Sequence, residues 1–149
     1  GGFFLHKVDL EIQLIKLSNQ LGYVTIYKAH PEWEDKAKML YGNLGCTILG
    51  GIFEEQYKKA SILVFTTATT TSFGYGLCTN RSMVLLDAEG NKWQTEVKNK
   101  LCQRCEILQY KTAPNGKAII NRSEIVRAIE NANDKHEDER FIEEHLWRQ

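Results

Sequence analysis

The sequence predicts an α+β fold: one domain over residues 1–149, with a mixed or mainly antiparallel sheet flanked by an N-terminal helix and C-terminal helices. Three observations carry that prediction. The first twenty residues place apolar side chains at helical spacing. Several short apolar runs bounded by glycine, threonine and asparagine follow in the middle of the chain. Apolar residues at helical spacing return after residue 122. With hydrophobic residues at 42% and charged residues at 26%, the 149-residue chain can bury a real core, and neither disorder nor a coiled coil is expected.

Residues 5–21 read as a helix ended by Gly22. Residues 24–29 (VTIYKA) read as a strand. His30-Pro31 opens a second helix through Leu40, with proline early in it. Gly42, Gly45, Gly50 and Gly51 make the next stretch irregular. Residues 60–65 (ASILVF) suit a central strand buried on both faces. Residues 82–97 read as a hairpin: SMVLLD, the turn AEGN, then KWQTEV. A further strand pair, 106–110 and 117–120, is expected around Pro114-Asn115-Gly116. Ser123 is expected to cap a helix carrying Ile125, Val126 and Ile129, and a last helix to start near Glu137.

Composition narrows the setting. The longest uncharged run, residues 60–80, has a threonine-rich middle, so no membrane span is expected. Lys7, Asp9 and Glu11 interrupt any secretory leader. Four cysteines in a chain this long suit reduced thiols and a cytoplasmic location. Net charge is zero but uneven: from Lys92 to Arg122 seven basic residues face only Glu96 and Glu106, while eight acidic residues follow Ser123. That basic stretch, which holds Trp93 and Tyr110, could track the phosphates of DNA or RNA. A solvated surface balanced by the acidic C-terminus is the plainer account. A protein partner is the other option, and the oligomeric state is not legible.

One residue of the first helix stands out. At 100° per residue, Leu10, Leu14, Leu17 and Leu21 cover one flank of the apolar arc and Val8, Ile12 and Ile15 the other, and Glu11 falls between them. A carboxylate there needs a polar partner. Lys7, one turn earlier, is the ordinary one, and a site beneath the helix is the functional alternative.

The run from Asp87 to Lys98 resembles the active-site hairpin of the PD-(D/E)xK nuclease superfamily, with an Asp at the end of one strand and Glu96-Val97-Lys98 on the next. The resemblance implies a Mg²⁺-dependent nuclease fold. Asp87 and Glu96 would hold the metal, Glu96 and Lys98 would share a strand face, and Glu11 would join from the helix as it does in some members. A regular two-residue turn would instead leave Asp87 and Glu96 about 13 Å apart, so the resemblance requires an irregular hairpin.

Two alternatives stand beside it. His30-Pro31-Glu32 with Cys102-Gln103-Arg104-Cys105 resembles the motifs of zinc-dependent nucleobase deaminases. By that resemblance His30, Cys102 and Cys105 would bind zinc and Glu32 would shuttle protons. The other alternative is a non-enzymatic binding protein of the immunity, anti-restriction or phage-inhibitor type. Such a protein could use the threonine- and glycine-rich residues 66–76 as a binding loop.

Overall fold

Strand β4 (Ser82–Ala88) is the most buried element among the described residues: Met83, Val84, Leu85 and Leu86 are all at most 2% exposed. Four consecutive apolar residues suit a strand covered on both faces and paired on both edges. The structure is a computed structural model, and it describes residues 2–135. Among these the class is α+β, opening on an N-terminal helix. The chain divides into two compact units that interleave in sequence: Gly1–Lys58 with Thr112–Ile120, and Lys59–Lys111 with Asn121–Gln149.

In the first unit, α1 (Gly2–Gln20) ends as the sequence predicts. The Gly22 N–H donates to Asn19 O, the Tyr23 N–H to Ser18 O, and Gly22 takes φ +86°, the left-handed cap that glycine adopts without strain. Strand β1 (Ile26–Lys28) leads through a 3-10 turn (Pro31–Trp33) and α2 (Glu34–Tyr41) to β2 (Thr47–Leu49). β1 and β2 pair in parallel, Tyr27 opposite Ile48, which makes a strand–helix–strand unit. Sequence patterning missed β2, because three residues flanked by glycines leave too short a period to read. Ile15, Ala29, Ala37 and Tyr41 form its core, with Val8, Ile12, Tyr27 and Ile48 packed against them. A short helix α3 (Phe53–Gln56) follows, and β6 (Ala118–Ile119) also belongs here, its Ala118 carbonyl accepting from Gln13 Nε2 at 2.9 Å.

In the second unit, β3 (Ile62–Phe65), α4 (Thr71–Leu77), β4, α5 (Thr95–Arg104) and β5 (Glu106–Thr112) alternate, and α6 (Arg122–Asn133) packs on β4. β3 pairs with β4 and β4 with β5, both in parallel. β3 is therefore at a side of this sheet, not central, and its Val64 is 46% exposed. After β5 the chain reverses through residues 113–117, where the Ala113 N–H donates to Lys117 O, so a reversal of chain direction follows the parallel strands.

Three further elements differ from the sequence reading. Residues 95–104 are helix, not the second strand of a hairpin. β4 already has β3 and β5 on its two edges, which leaves no edge for a returning strand. The spacing of Val97, Leu101 and Arg104 fits a helix face, and Leu101 and Arg104 are buried. Residues 71–77, read as loop, form α4, capped by Thr70 Oγ1 accepting from the Phe73 N–H. The N-cap of α6 is Asn121, not Ser123; its Oδ1 accepts from the Ser123 N–H and hydroxyl. The helix expected from Glu137 lies outside the described residues. Among the described residues no helix is long and apolar enough to cross a membrane.

Candidate functional site

Parallel strands end together, and the loops beyond their carboxyl ends are where open α/β sheets bind ligands. In the second unit Phe65 pairs with Leu85 and Ala88 with Tyr110. Residues 66–70, residues 89–94 and Lys111 therefore share that end. Helix α5 starts there and finishes beside the first residue of β5. Helix α6 runs the same way: Lys135, just past its last turn, donates to the Cys105 carbonyl and the Glu106 carboxylate at 2.8 Å. Its twelve residues then carry Asn121 and Arg122 about 18 Å back toward the carboxyl end.

Asp87 sits at this end of β4, and both its oxygens are engaged. Asn91 Nδ2 donates to Oδ1 at 2.8 Å and the Trp93 indole N–H to Oδ2 at 2.7 Å. The Asn91 N–H closes a turn onto Ala88 O, and the Glu89 N–H bonds Tyr110 O at 2.7 Å. The Tyr110 hydroxyl is pushed above its ordinary range, first by burial and then by the Asp87 charge. Asp87 thus organises its own loop. The indole it holds is half-buried, next to exposed Lys92.

Glu96 and Lys98 lie in the first turn of α5. Residues two apart on a helix point some 200° apart, so the shared face that a strand would give them is lost. Glu96 is exposed and Lys98 half-buried. Among the described residues no group of three or more His, Cys, Asp or Glu side chains is arranged to hold a metal ion. The donor set expected for Mg²⁺, Asp87 with Glu96, does not fit: one carboxylate is already occupied by its loop and the other rides on a helix.

Glu11, in the first unit, does have a polar partner. It is the Tyr41 hydroxyl of α2, which donates to Glu11 Oε2 at 2.7 Å. Tyr27 packs against Tyr41 with ring centroids 4.7 Å apart and planes tilted by 51°. Burial, with the Glu11 charge and hydrogen bond behind it, drives both phenols well above the ordinary value of 10.0. The carboxylate is half-buried and ties α1 to α2.

The residues of the deaminase resemblance have local duties. The Glu32 N–H donates to His30 Nδ1 at 3.2 Å, so His30-Pro31-Glu32 is the cap of the 3-10 turn, with His30 and Glu32 both exposed. Cys102 is on α5 and Cys105 is its C-cap. Burial raises the Cys105 thiol to about 12, which opposes the thiolate that zinc needs.

The basic stretch loses one member to the interior. Arg104 is 1% exposed. Its Nε donates to Leu77 O, and its Nη2 lies within 2.7–3.2 Å of Gly76 O, Thr79 O and Arg81 O. Lys92, Lys111 and Arg122 remain exposed at the strand-carboxyl end, with Lys98 one turn into α5. The threonine segment borders the same end: Thr67 and Thr69 hydroxyls lie 2.9 Å apart, and Thr69, Thr70 and Thr71 are exposed. Sequence reading named Lys92 and Trp93 but gave Trp93 no duty; an indole six residues beyond a strand-terminal aspartate was the available signal. Compared with family models, curated proteins and solved structures, the chain matches none.

Proposed function

We propose that the chain binds nucleic acid through the strand-carboxyl end of its second unit, by contacts to the phosphate backbone and not through a hydrolytic centre. The observation that carries this reading is topological. A parallel sheet with α5 and α6 running back along it brings Lys92, Lys111 and Arg122, far apart in sequence, to the end where the threonine hydroxyls lie. Lysine, arginine, threonine and backbone N–H groups are the usual phosphate partners. Glu89, Glu96 and Glu124 share this end, so the attraction is local and the affinity belongs to the weak, sequence-independent class, with Kd of about 10⁻⁴ to 10⁻⁶ M.

The PD-(D/E)xK resemblance enters as a nuclease-like ancestry whose Glu-x-Lys pair does not form here. Fluorescence anisotropy with a labelled oligonucleotide tests the reading. Binding should weaken steeply between low and moderate salt, and Lys92→Ala with Lys111→Ala should lower both the affinity and the salt slope. Binding that is absent at low salt, or indifferent to salt, overturns it. Mg²⁺-dependent cleavage abolished by Glu96→Gln would restore the catalytic reading in its place.

A further inference from the structure

We infer that Trp93 is a base-stacking platform, so that the nucleic acid taken at this end is single-stranded; the inference rests on the nucleic-acid reading above. The indole is tied by its polar edge to the centre of the sheet. Its N–H donates to Asp87 Oδ2 at 2.7 Å, and Asp87 belongs to β4, which is paired on both sides. The second Asp87 oxygen holds Asn91, which fixes the loop on which Trp93 rides.

With the N–H of this half-buried indole held by Asp87, the part of the ring that meets solvent has only stacking to offer, and its place is already set before any ligand arrives. Lys92 precedes it, and Lys98 follows within the first turn of α5. An indole with Lys92 next to it in the chain, and Lys98 beyond Glu96, matches the two demands of an unpaired strand: a surface for the base and charge for the backbone. A base inside a duplex has no free face for such a ring, whereas phosphates are available in both forms. The two forms therefore separate stacking from charge.

The experiment compares a labelled oligothymidylate with a duplex of equal length. Trp93→Ala should weaken binding of the single strand roughly tenfold, the loss of about one stacked base, and leave the duplex unchanged. Trp93→Phe, which keeps a ring, should fall between. A variant with Trp33→Phe and Trp147→Phe retains Trp93 as the sole indole of three, and its emission should be quenched as oligothymidylate is added. That readout does not depend on the folding of the alanine variant. Equal, salt-sensitive binding of both forms, with Trp93→Ala moving neither and no quenching, overturns the stacking platform and leaves phosphate binding standing. Failure of both forms to bind at low salt overturns the two together.

Discussion

Each unit places a charged side chain in its interior and satisfies it by a different chemistry. In the first, Glu11 keeps partial contact with solvent and accepts a hydrogen bond from the Tyr41 hydroxyl. In the second, Arg104 is cut off from solvent, and its guanidinium faces four backbone carbonyls from Gly76 to Arg81. The fork of a guanidinium serves several acceptors at once, here the Leu77, Thr79 and Arg81 carbonyls around the end of α4, together with Gly76 O, which also accepts from the Thr79 N–H and hydroxyl. The carboxylate therefore ties α1 to α2 at the Tyr41 hydroxyl. The guanidinium organises an entire helix end, and its removal would take a donor from several carbonyls at once.

The largest expected effect breaks that contrast on the arginine side. Arg104→Met should cost roughly 3–5 kcal/mol, read as a drop in the urea midpoint, because several carbonyls lose a donor at once. Arg104→Lys should recover part of it. A loss below about 1 kcal/mol would mean that stripping water from the guanidinium nearly cancels its hydrogen bonds.

On the carboxylate side, Tyr41→Phe should cost about 1.5–3 kcal/mol, the usual net contribution of a hydrogen bond to a charged group. Glu11→Gln should cost less, since an amide oxygen still accepts.

Alkali sharpens the same comparison. Tyr27 and Tyr41 hold their protons more tightly folded than unfolded, so their contribution is fully present below the unfolded phenol value of 10.0 and is lost as pH rises above it. Stability should fall from about pH 10 upward, and ultraviolet titration should show these two phenols ionising last or only on unfolding. Tyr41→Phe should flatten that slope. An alkaline limb unchanged by the substitution would place its origin elsewhere.

The smallest effects belong to the helix that replaced the expected hairpin. Glu96→Gln and Lys98→Ala should each stay within about 0.5 kcal/mol of the parent in chemical denaturation. A larger loss at Glu96 would point to a buried role that its exposure does not suggest.

Sequence reading succeeded where one residue dictates one geometry. Gly22 ends α1 because the left-handed cap needs it, and the apolar phase of α1 calls for a polar partner at Glu11, although the hydrogen bond comes from Tyr41 of α2 where the sequence offered Lys7. It failed where neighbours decide. Asp87 to Lys98 contains an Asp, a turn and a Glu-x-Lys in hairpin order. Whether the chain after Gly90 returns as a strand depends on the free edges of β4, and β5, which takes the second edge, begins only at Glu106. Arg104 reads as one more cation of a basic run. Its burial depends on α4, a helix that the threonine- and glycine-rich composition of residues 66–76 conceals.

Helix α4 has a further consequence, one of motion. Gly74 and Gly76 sit within its seven residues, each weakening a helix by about 1 kcal/mol relative to alanine. At Gly76 a Cβ would lie 3.2 Å from the Met83 methyl and the Phe65 ring, so a side chain there would require those neighbours to give way. The helix therefore persists through what holds it: the Thr70 cap at one end, Phe73 and Leu77 in the core, and Arg104 at the other end. In native-state hydrogen exchange, α4 should open before β4, as a local event well below the global unfolding free energy. Each opening would release the threonine segment on the Thr70 side, so the lifetime of that segment's arrangement depends in part on an arginine at the opposite end of the helix.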